Sequence, residues 1–291
     1  MSGLLFIISA PSGSGKSTLV NGLRHFVDHL VFSISYTTRP PRGSEQDGCE
    51  YYFVTREQFQ GMLERDELLE YADVFGNYYG SARRFFIEAE SRGEDLLLDI
   101  DVQGERQVKQ KIPGAISIFV LPPSRKELES RLRKRNRSEN MDEEVIQRRL
   151  VNATREIENY TNYDYIIVND RLEDSLDALV AIVLSERRRR SGTALASPAA
   201  VPSSSSGTGA ETPVSEGDCA PVEPRAADFP HILPSGLLSD DDRRMMATAK
   251  SCRRANMSER LQPIIDSFLS SGDSLPASGV PLTAGSEKIP T

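Results

Sequence analysis

The chain has no tryptophan, three cysteines and three histidines among its 291 residues. Each scarcity removes a class of protein. Cys49, Cys219 and Cys252 are odd in number, far apart and without metal-ligand spacing, so they read as free thiols and not as a disulfide frame or a zinc site. No apolar run reaches the roughly 18 residues that a membrane helix needs. The N-terminus lacks a basic segment followed by a long apolar one, so a signal peptide is not expected either, and the expected location is the cytoplasm. Positive charge is also in deficit. A net charge of -8 argues against wholesale nucleic-acid binding. The one basic run, Arg187 to Arg190, falls at the end of a predicted helix, where the helix dipole favours cations. What remains is ample for a core: 38% of the residues are hydrophobic, and the length suits one large domain or two small ones.

Apolar segments at Leu4 to Ser9, Asp95 to Ile100, Ile116 to Leu121 and Tyr163 to Val168 predict buried strands. Helical patterns lie between them, at Lys16 to Leu30, Arg83 to Arg92, Gln103 to Lys111, Ser124 to Arg135, Asp142 to Tyr160 and Leu172 to Arg189. This alternation predicts an α/β fold with a parallel sheet flanked by helices. Ser124 followed by Glu127 has the form of a capping box, and Pro113-Gly114 ends the preceding helix. From Phe32 to Asn77 the rhythm breaks into short aromatic strands such as Tyr51 to Val54 and an amphipathic turn near Arg56 to Glu64. That stretch reads as an inserted substrate subdomain.

The most informative segment is Leu4 to Ser17, LLFIISAPSGSGKS. A short Ile/Leu-rich strand runs into a glycine-rich turn, and a helix must follow at once. In such a unit the loop amides of Ala10, Pro11, Ser12, Gly13, Ser14 and Gly15 wrap a phosphate chain, proline contributing no N–H. The helix N-terminus at Lys16, Ser17 and Thr18 adds its positive end. Lys16 supplies a point charge for the β- and γ-phosphates, and the Ser17 hydroxyl is the expected magnesium ligand. The pattern departs from G-x-x-x-x-G-K-[ST] at its first glycine, where this chain has Ala10. Gly13 and Gly15 still provide backbone freedom. A nucleoside triphosphate is the expected ligand.

A second anion site is spelled in SYTTRPPRG. Arg39 and Arg42 flank a Pro-Pro turn, so two guanidinium groups on a stiff segment can fork onto one phosphate monoester, with the Tyr51 and Tyr79 hydroxyls as neutral donors. Asp99 and Asp101 are two residues apart at the carboxyl end of a predicted parallel strand, where open α/β sheets bind ligands.

Taken together, the motifs APSGSGKS (Ala10 to Ser17), SYTTRPPRGSEQDGCEYYF (Ser35 to Phe53), LLEYADVFGNYYGS (Leu68 to Ser81), LLDIDVQG (Leu97 to Gly104) and IIVND (Ile166 to Asp170) resemble those of the guanylate kinase family. The resemblance runs from about Leu4 to Arg187. It implies a P-loop nucleoside monophosphate kinase fold, a domain over about residues 1–190 with a GMP-binding insertion near 33–85 and a lid near 125–160, and ATP-dependent phosphorylation of GMP and dGMP with Mg2+. It further implies that Ser35, Glu70, Ser81 and Asp101 face the guanine, beside Gly80. Arg39, Arg42, Tyr51 and Tyr79 would hold the GMP phosphate. Asp99 would lie near the magnesium and the transferring phosphate, next to the GMP. Arg131, Arg135 and Arg149 would close over the ATP phosphates, and Asn169 would lie near the adenine. Guanine chemistry agrees: N1–H and the 2-amino group are adjacent donors that one carboxylate can accept, whereas adenine would set a lone pair against it. The segment RKRNRSENMDEE is longer than the usual lid turn, which leaves the choice of Arg149 over Arg148 open.

Two other readings fit less of the chain. A catalytically silent interaction module of the same fold would have no use for Lys16, Ser17 and Asp99, and a P-loop kinase for another small phosphate would lack Ser35 and Glu70. After Arg190 the composition turns to Ala, Ser, Gly, Pro and Thr, which predicts a disordered linker over about 191–239. The segment 240–291 regains some pattern. Leu261, Ile264, Ile265, Phe268 and Leu269 are at helical spacing, with Ser258 as a candidate N-cap. One short helix cannot bury that face alone, so the stripe reads as a weakly helical segment, with docking on the domain or on a protein partner as alternatives. With twelve acidic and eight basic residues beyond Arg190, it is no polycation.

Overall fold

The computed structural model describes residues 3–74, 76–139, 143–195 and 240–270, with backbone alone at 135–139, 192–195 and 240–242. Its strands are β1 (Leu5–Ser9), β2 (Leu30–Phe32), β3 (Tyr36–Thr37), β4 (Tyr52–Phe53), β5 (Leu68–Val74), β6 (Asn77–Ala82), β7 (Asp95–Asp99), β8 (Ile116–Leu121) and β9 (Tyr165–Val168). Its helices are α1 (Lys16–Leu23), α2 (Arg56–Glu64), α3 (Arg83–Arg92), α4 (Val102–Lys111), α5 (Arg125–Glu139), α6 (Glu143–Ile157), α7 (Leu172–Leu195), α8 (Asp240–Ser251) and α9 (Ser258–Leu269).

β1 is the middle strand of a parallel five-stranded sheet ordered β2-β7-β1-β8-β9. All five β1 residues are buried, because both faces are covered. Side chains alternate: Phe6 and Ile8 pack with Leu19 and Leu23 of α1 and with Leu176, Leu179 and Ile182 of α7. Leu5 and Ile7 pack on the other face with Ala89 of α3 and Val108 of α4. A fully apolar strand is what such two-sided burial demands. The inserted segment forms a second, mixed sheet ordered β4-β3-β6-β5. α2 lies against it through Phe59 and Met62, and Thr55 and Gln58 close a reciprocal capping box at its start.

Several predicted boundaries shift. α1 stops at Leu23, not Leu30, because Leu30 is needed to pair with Asp95 of β7, and the chain turns into that strand through His29 at φ 57°. α5 runs on to Glu139, taking up part of the longer lid segment, while α7 continues past the basic run to Leu195. The basic run is therefore not a C-terminal decoration. Arg187 pairs with Asp95 at 2.6 Å and Arg190 donates to the Gly3 carbonyl at 2.9 Å, tying the helix to the start of the sheet. Of the linker predicted over about 191–239, residues 191–195 belong to α7 instead, because the helix runs on past the basic residues, and 196–239 lie outside the described residues. Cys252 is free and buried, but Cys49 is disulfide-bonded, which corrects the expectation of free thiols throughout.

The largest correction concerns the tail. It holds two helices, both docked on the domain. α8 lies along α7. The chain then bridges to the edge of β9, where Ile166 N–H donates to the Cys252 carbonyl at 2.8 Å and Arg254 N–H to that of Asp164 at 3.1 Å. The N-cap of α9 is Met257, not Ser258. Its stripe, Leu261, Ile264, Ile265 and Phe268, is buried among Leu128, Leu132, Ile146 and Leu150 of α5 and α6, whereas Leu269 stays half exposed. α5 and α6 supply the apolar surface that one short helix lacks.

Candidate active site

The phosphate loop is held open by backbone geometry. Gly13 and Gly15 adopt φ of 92° and 91°, in the left-handed region where side chains are strained. Gly15 is the N-cap of α1, so the helix amides open toward the loop. Gly13 also packs against α5: a Cβ there would lie 2.9 Å from Leu132 Cδ2 and 3.1 Å from Leu128 Cδ1. Asn169, expected beside the adenine, is buried under the loop and donates from Nδ2 to the Ser14 carbonyl at 2.7 Å. Pro11 and Ser14 are buried and Ala10 half-buried, while Ser12, Ser17 and Thr18 are exposed at the loop and helix start.

Lys16 ion-pairs with Asp99, the last residue of β7. Burial opposes the lysine's charge, but the carboxylate beside it outweighs that, and the ammonium pKa is raised. Asp101 does not share the strand end with Asp99. It lies beyond β7 as the N-cap of α4, where Oδ1 accepts from Gln103 N–H at 3.0 Å and Gly104 N–H at 2.9 Å.

The residues expected to face the base come from β5 and β6, with Ser35 just before β3. Glu70 and Ser81 are paired across these strands, and the Ser35 and Ser81 hydroxyls are 3.5 Å apart. Glu70 is only 3% exposed. Burial pushes its carboxyl up to about 7, with the charge of Asp101 adding to the rise and the Ser81 hydroxyl and Lys111 working against it. Gly104 makes room for this group, since a Cβ there would stand 2.5 Å from Glu70 Oε2. Gly80 is buried beside them, its own Cβ position 2.9 Å from the Glu70 carbonyl.

Arg39 is 5% exposed and forked onto Glu45, with both N–H···O distances 2.9 Å. It lies over the Tyr51 ring at 5.3 Å, and the Tyr51 and Tyr79 rings meet edge-on at 5.8 Å. Arg42 is exposed, and its backbone N–H donates to Glu45 at 2.7 Å. Tyr51 is itself half-buried. Burial raises its phenol pKa first, Asp99 raises it further and Lys16 opposes both.

On α5, Arg131 pairs with Glu127 one turn back at 2.9 Å. Arg149 is half-buried where Arg148 is exposed, and the Arg135 side chain lies outside the described residues. Sequence reasoning missed Glu45, which sits inside a quoted motif but whose bond to Arg39 requires the folded turn. It also missed Glu156. Seven residues beyond Arg149 on the same helix face, Glu156 is pushed up to about 7 by burial, while the Lys16 ammonium pulls the other way.

A glycine loop feeding a helix, a lysine–aspartate pair at the sheet's carboxyl end and a second sheet with its own buried arginine and buried carboxylate define a P-loop nucleoside monophosphate kinase. The family model described as Guanylate kinase matches residues 2–186. Guanylate kinase from Koribacter versatilis is 50% identical over 276 residues, covering 95% of this chain and all of that protein. The Escherichia coli K12 guanylate kinase is 47% identical over 192 residues, 65% of this chain and 91% of its own length. A crystal structure of guanylate kinase from Anaplasma phagocytophilum overlays with a TM-score of 0.53 at 34% identity, covering 64% of this chain and 86% of that one. The chain belongs to the guanylate kinase family, and its activity is the ATP-dependent phosphorylation of GMP.

Proposed function

We propose that the residues just described divide the reaction between a donor side and an acceptor side. On the donor side, the amides of Gly13 to Lys16 and the Lys16 ammonium neutralise the β- and γ-phosphates of ATP. On the acceptor side, Arg39 and Arg42, with the Tyr51 and Tyr79 hydroxyls, hold the GMP phosphate. Glu70 accepts guanine N1–H and the 2-amino group, and Ser35 and Ser81 complete the base contacts with Asp101. dGMP keeps all of these groups and is the expected second acceptor. A phosphate oxygen of GMP attacks the γ-phosphorus in line; the new P–O bond forms as the bond to the β-phosphate oxygen breaks, and ADP leaves. No enzyme atom bonds to phosphorus. Arg131, Arg135 and Arg149 add charge as the lid closes and water is excluded.

The Ser17 hydroxyl and the Asp99 carboxylate are hard oxygen donors at the loop's mouth and suit Mg2+. An ion there would be held through one or two protein oxygens and the substrate phosphates. Bound there, Mg2+ would supply charge neutralisation between the phosphates. Among the described residues no helix is long and apolar enough to cross a membrane. A cytoplasmic location is the reading that fits these two nucleotide substrates.

One observation supports this division most: Lys16 is ion-paired with Asp99 at the glycine loop, while Arg39, Tyr51 and Tyr79 gather separately, with Arg39 over the Tyr51 ring at 5.3 Å and the two tyrosine rings 5.8 Å apart. The test is Lys16→Ala. Turnover is expected to fall about a thousandfold while GMP binding, measured by calorimetry, survives. Equal loss of GMP binding would make the lysine a structural residue and overturn the division.

A further inference from the structure

We propose that α9 positions the ATP-binding loop, acting through the lid helix α5. The inference rests on reading the Gly13 to Lys16 loop as the ATP site. Phe268, Leu261, Ile264 and Ile265 share one apolar cluster with Leu128 and Leu132 of α5 and with Ile146, Leu150, Ala153 and Ile157 of α6. Leu128 and Leu132 are the same side chains that close on Gly13. α9 therefore stands two layers behind the phosphate loop, with α5 between them.

The other end of the strap is fixed. Arg253 donates to Glu186 at 3.1 Å, lies over the Tyr165 ring at 5.2 Å, and forms a bridge with the edge of β9. Glu186 is itself 3% exposed and accepts from the Tyr165 hydroxyl at 2.5 Å and from Arg189 at 2.6 Å. Ser267 Oγ also accepts from the Arg125 backbone N–H at 3.2 Å, in the first turn of α5. A helix anchored to the sheet at one end and to both lid helices along its length resists any lid movement away from the loop. The base reader and the GMP phosphate site are carried by the other sheet, so the effect falls on ATP and not on GMP.

The test uses the full-length enzyme with Phe268→Ala and the milder Ile264→Ala. Phe268→Leu is the conservative rescue, and Leu269→Ser, at a side chain 51% exposed, is the control. ATP KM, GMP KM and amide exchange of α5 and α9 are measured on each. Release of α9 is expected to raise ATP KM about fivefold or more. GMP KM should stay within about twofold, α5 should lose exchange protection, and Phe268→Leu should restore ATP KM. The proposal is overturned if α9 exchanges freely while ATP KM is unchanged, or if both KM values rise together, as general loosening of the fold would make them. Saturation of the wild-type enzyme by ATP tests the underlying site separately, because the strap is judged only by the ratio of variant to wild type.

Discussion

Glu70 carries a prediction whose magnitude comes directly from its burial. Burial pushes its carboxyl up to about 7 because desolvation penalises the charge. Guanine needs the ionised form, since a carboxylate accepts both N1–H and the 2-amino group while the protonated acid accepts only one. The sign follows: protons compete with GMP, so kcat/KM for GMP rises with pH through about 7 and then levels off. With a pKa of about 7 the ionised fraction is about 0.09 at pH 6 and about 0.91 at pH 8, a roughly tenfold change in kcat/KM. Phosphate monoesters lose their second proton near pH 6, which adds a smaller slope of its own. Glu70→Gln separates the two. A coupled ADP-release assay with varied GMP and saturating ATP, run from pH 5.5 to 8.5 on both proteins, is sufficient. The variant is expected to have a GMP KM at pH 8 raised about 5- to 150-fold, from about 1–3 kcal/mol for an amide N–H set against a guanine donor, and to keep only the phosphate slope. The reasoning fails if the variant loses activity toward pH 6 as steeply as wild type, or if its GMP KM at pH 8 is unchanged.

Gly104→Ala drives a methyl group toward Glu70 Oε2, 2.5 Å from where its Cβ would stand. GMP KM should rise about tenfold or more with ATP KM unmoved; equal KM values for wild type and variant would mean the carboxylate has room to spare. Asn169→Ala strands the Ser14 carbonyl beneath the loop and should cost about 1–3 kcal/mol in a denaturant melt, together with a higher ATP KM. An unchanged midpoint would show that water replaces the amide. Arg39→Lys removes the forked pair with Glu45, and GMP KM is expected to rise about tenfold, because an ammonium cannot repeat the two-pronged geometry. A KM within experimental error of wild type would remove Arg39 from the phosphate site.

Local pattern carried much of this structure. β1, the loop and α1 are legible because burial on both faces needs an unbroken apolar strand and the turn needs Gly13 and Gly15 in left-handed conformations. The Glu70 and Ser81 pair follows from quoted motifs, but its register across β5 and β6 does not. What stayed hidden depends on contacts distant in sequence. Leu30 looks like a helix residue until its partner on β7 is known. Asp101 reads as a strand acid, yet its two bonds to α4 amides make it a cap. Glu45 and Glu156 have no local pattern that marks them; only the folded chain brings one to Arg39 and the other toward Lys16. The tail shows the limit most clearly. The stripe from Leu261 to Phe268 is visible as an amphipathic face, whereas the surface it covers is made by side chains over a hundred residues earlier.

Phosphoryl transfer from ATP to a guanine nucleotide is read out most directly as ADP formation by the purified 291-residue chain. Mg-ATP is supplied with GMP, dGMP, AMP, UMP or ribose 1,5-bisphosphate as acceptor. Rapid turnover is expected with GMP and dGMP alone. Turnover with AMP or ribose 1,5-bisphosphate at a comparable rate, or none with any acceptor, would contradict it.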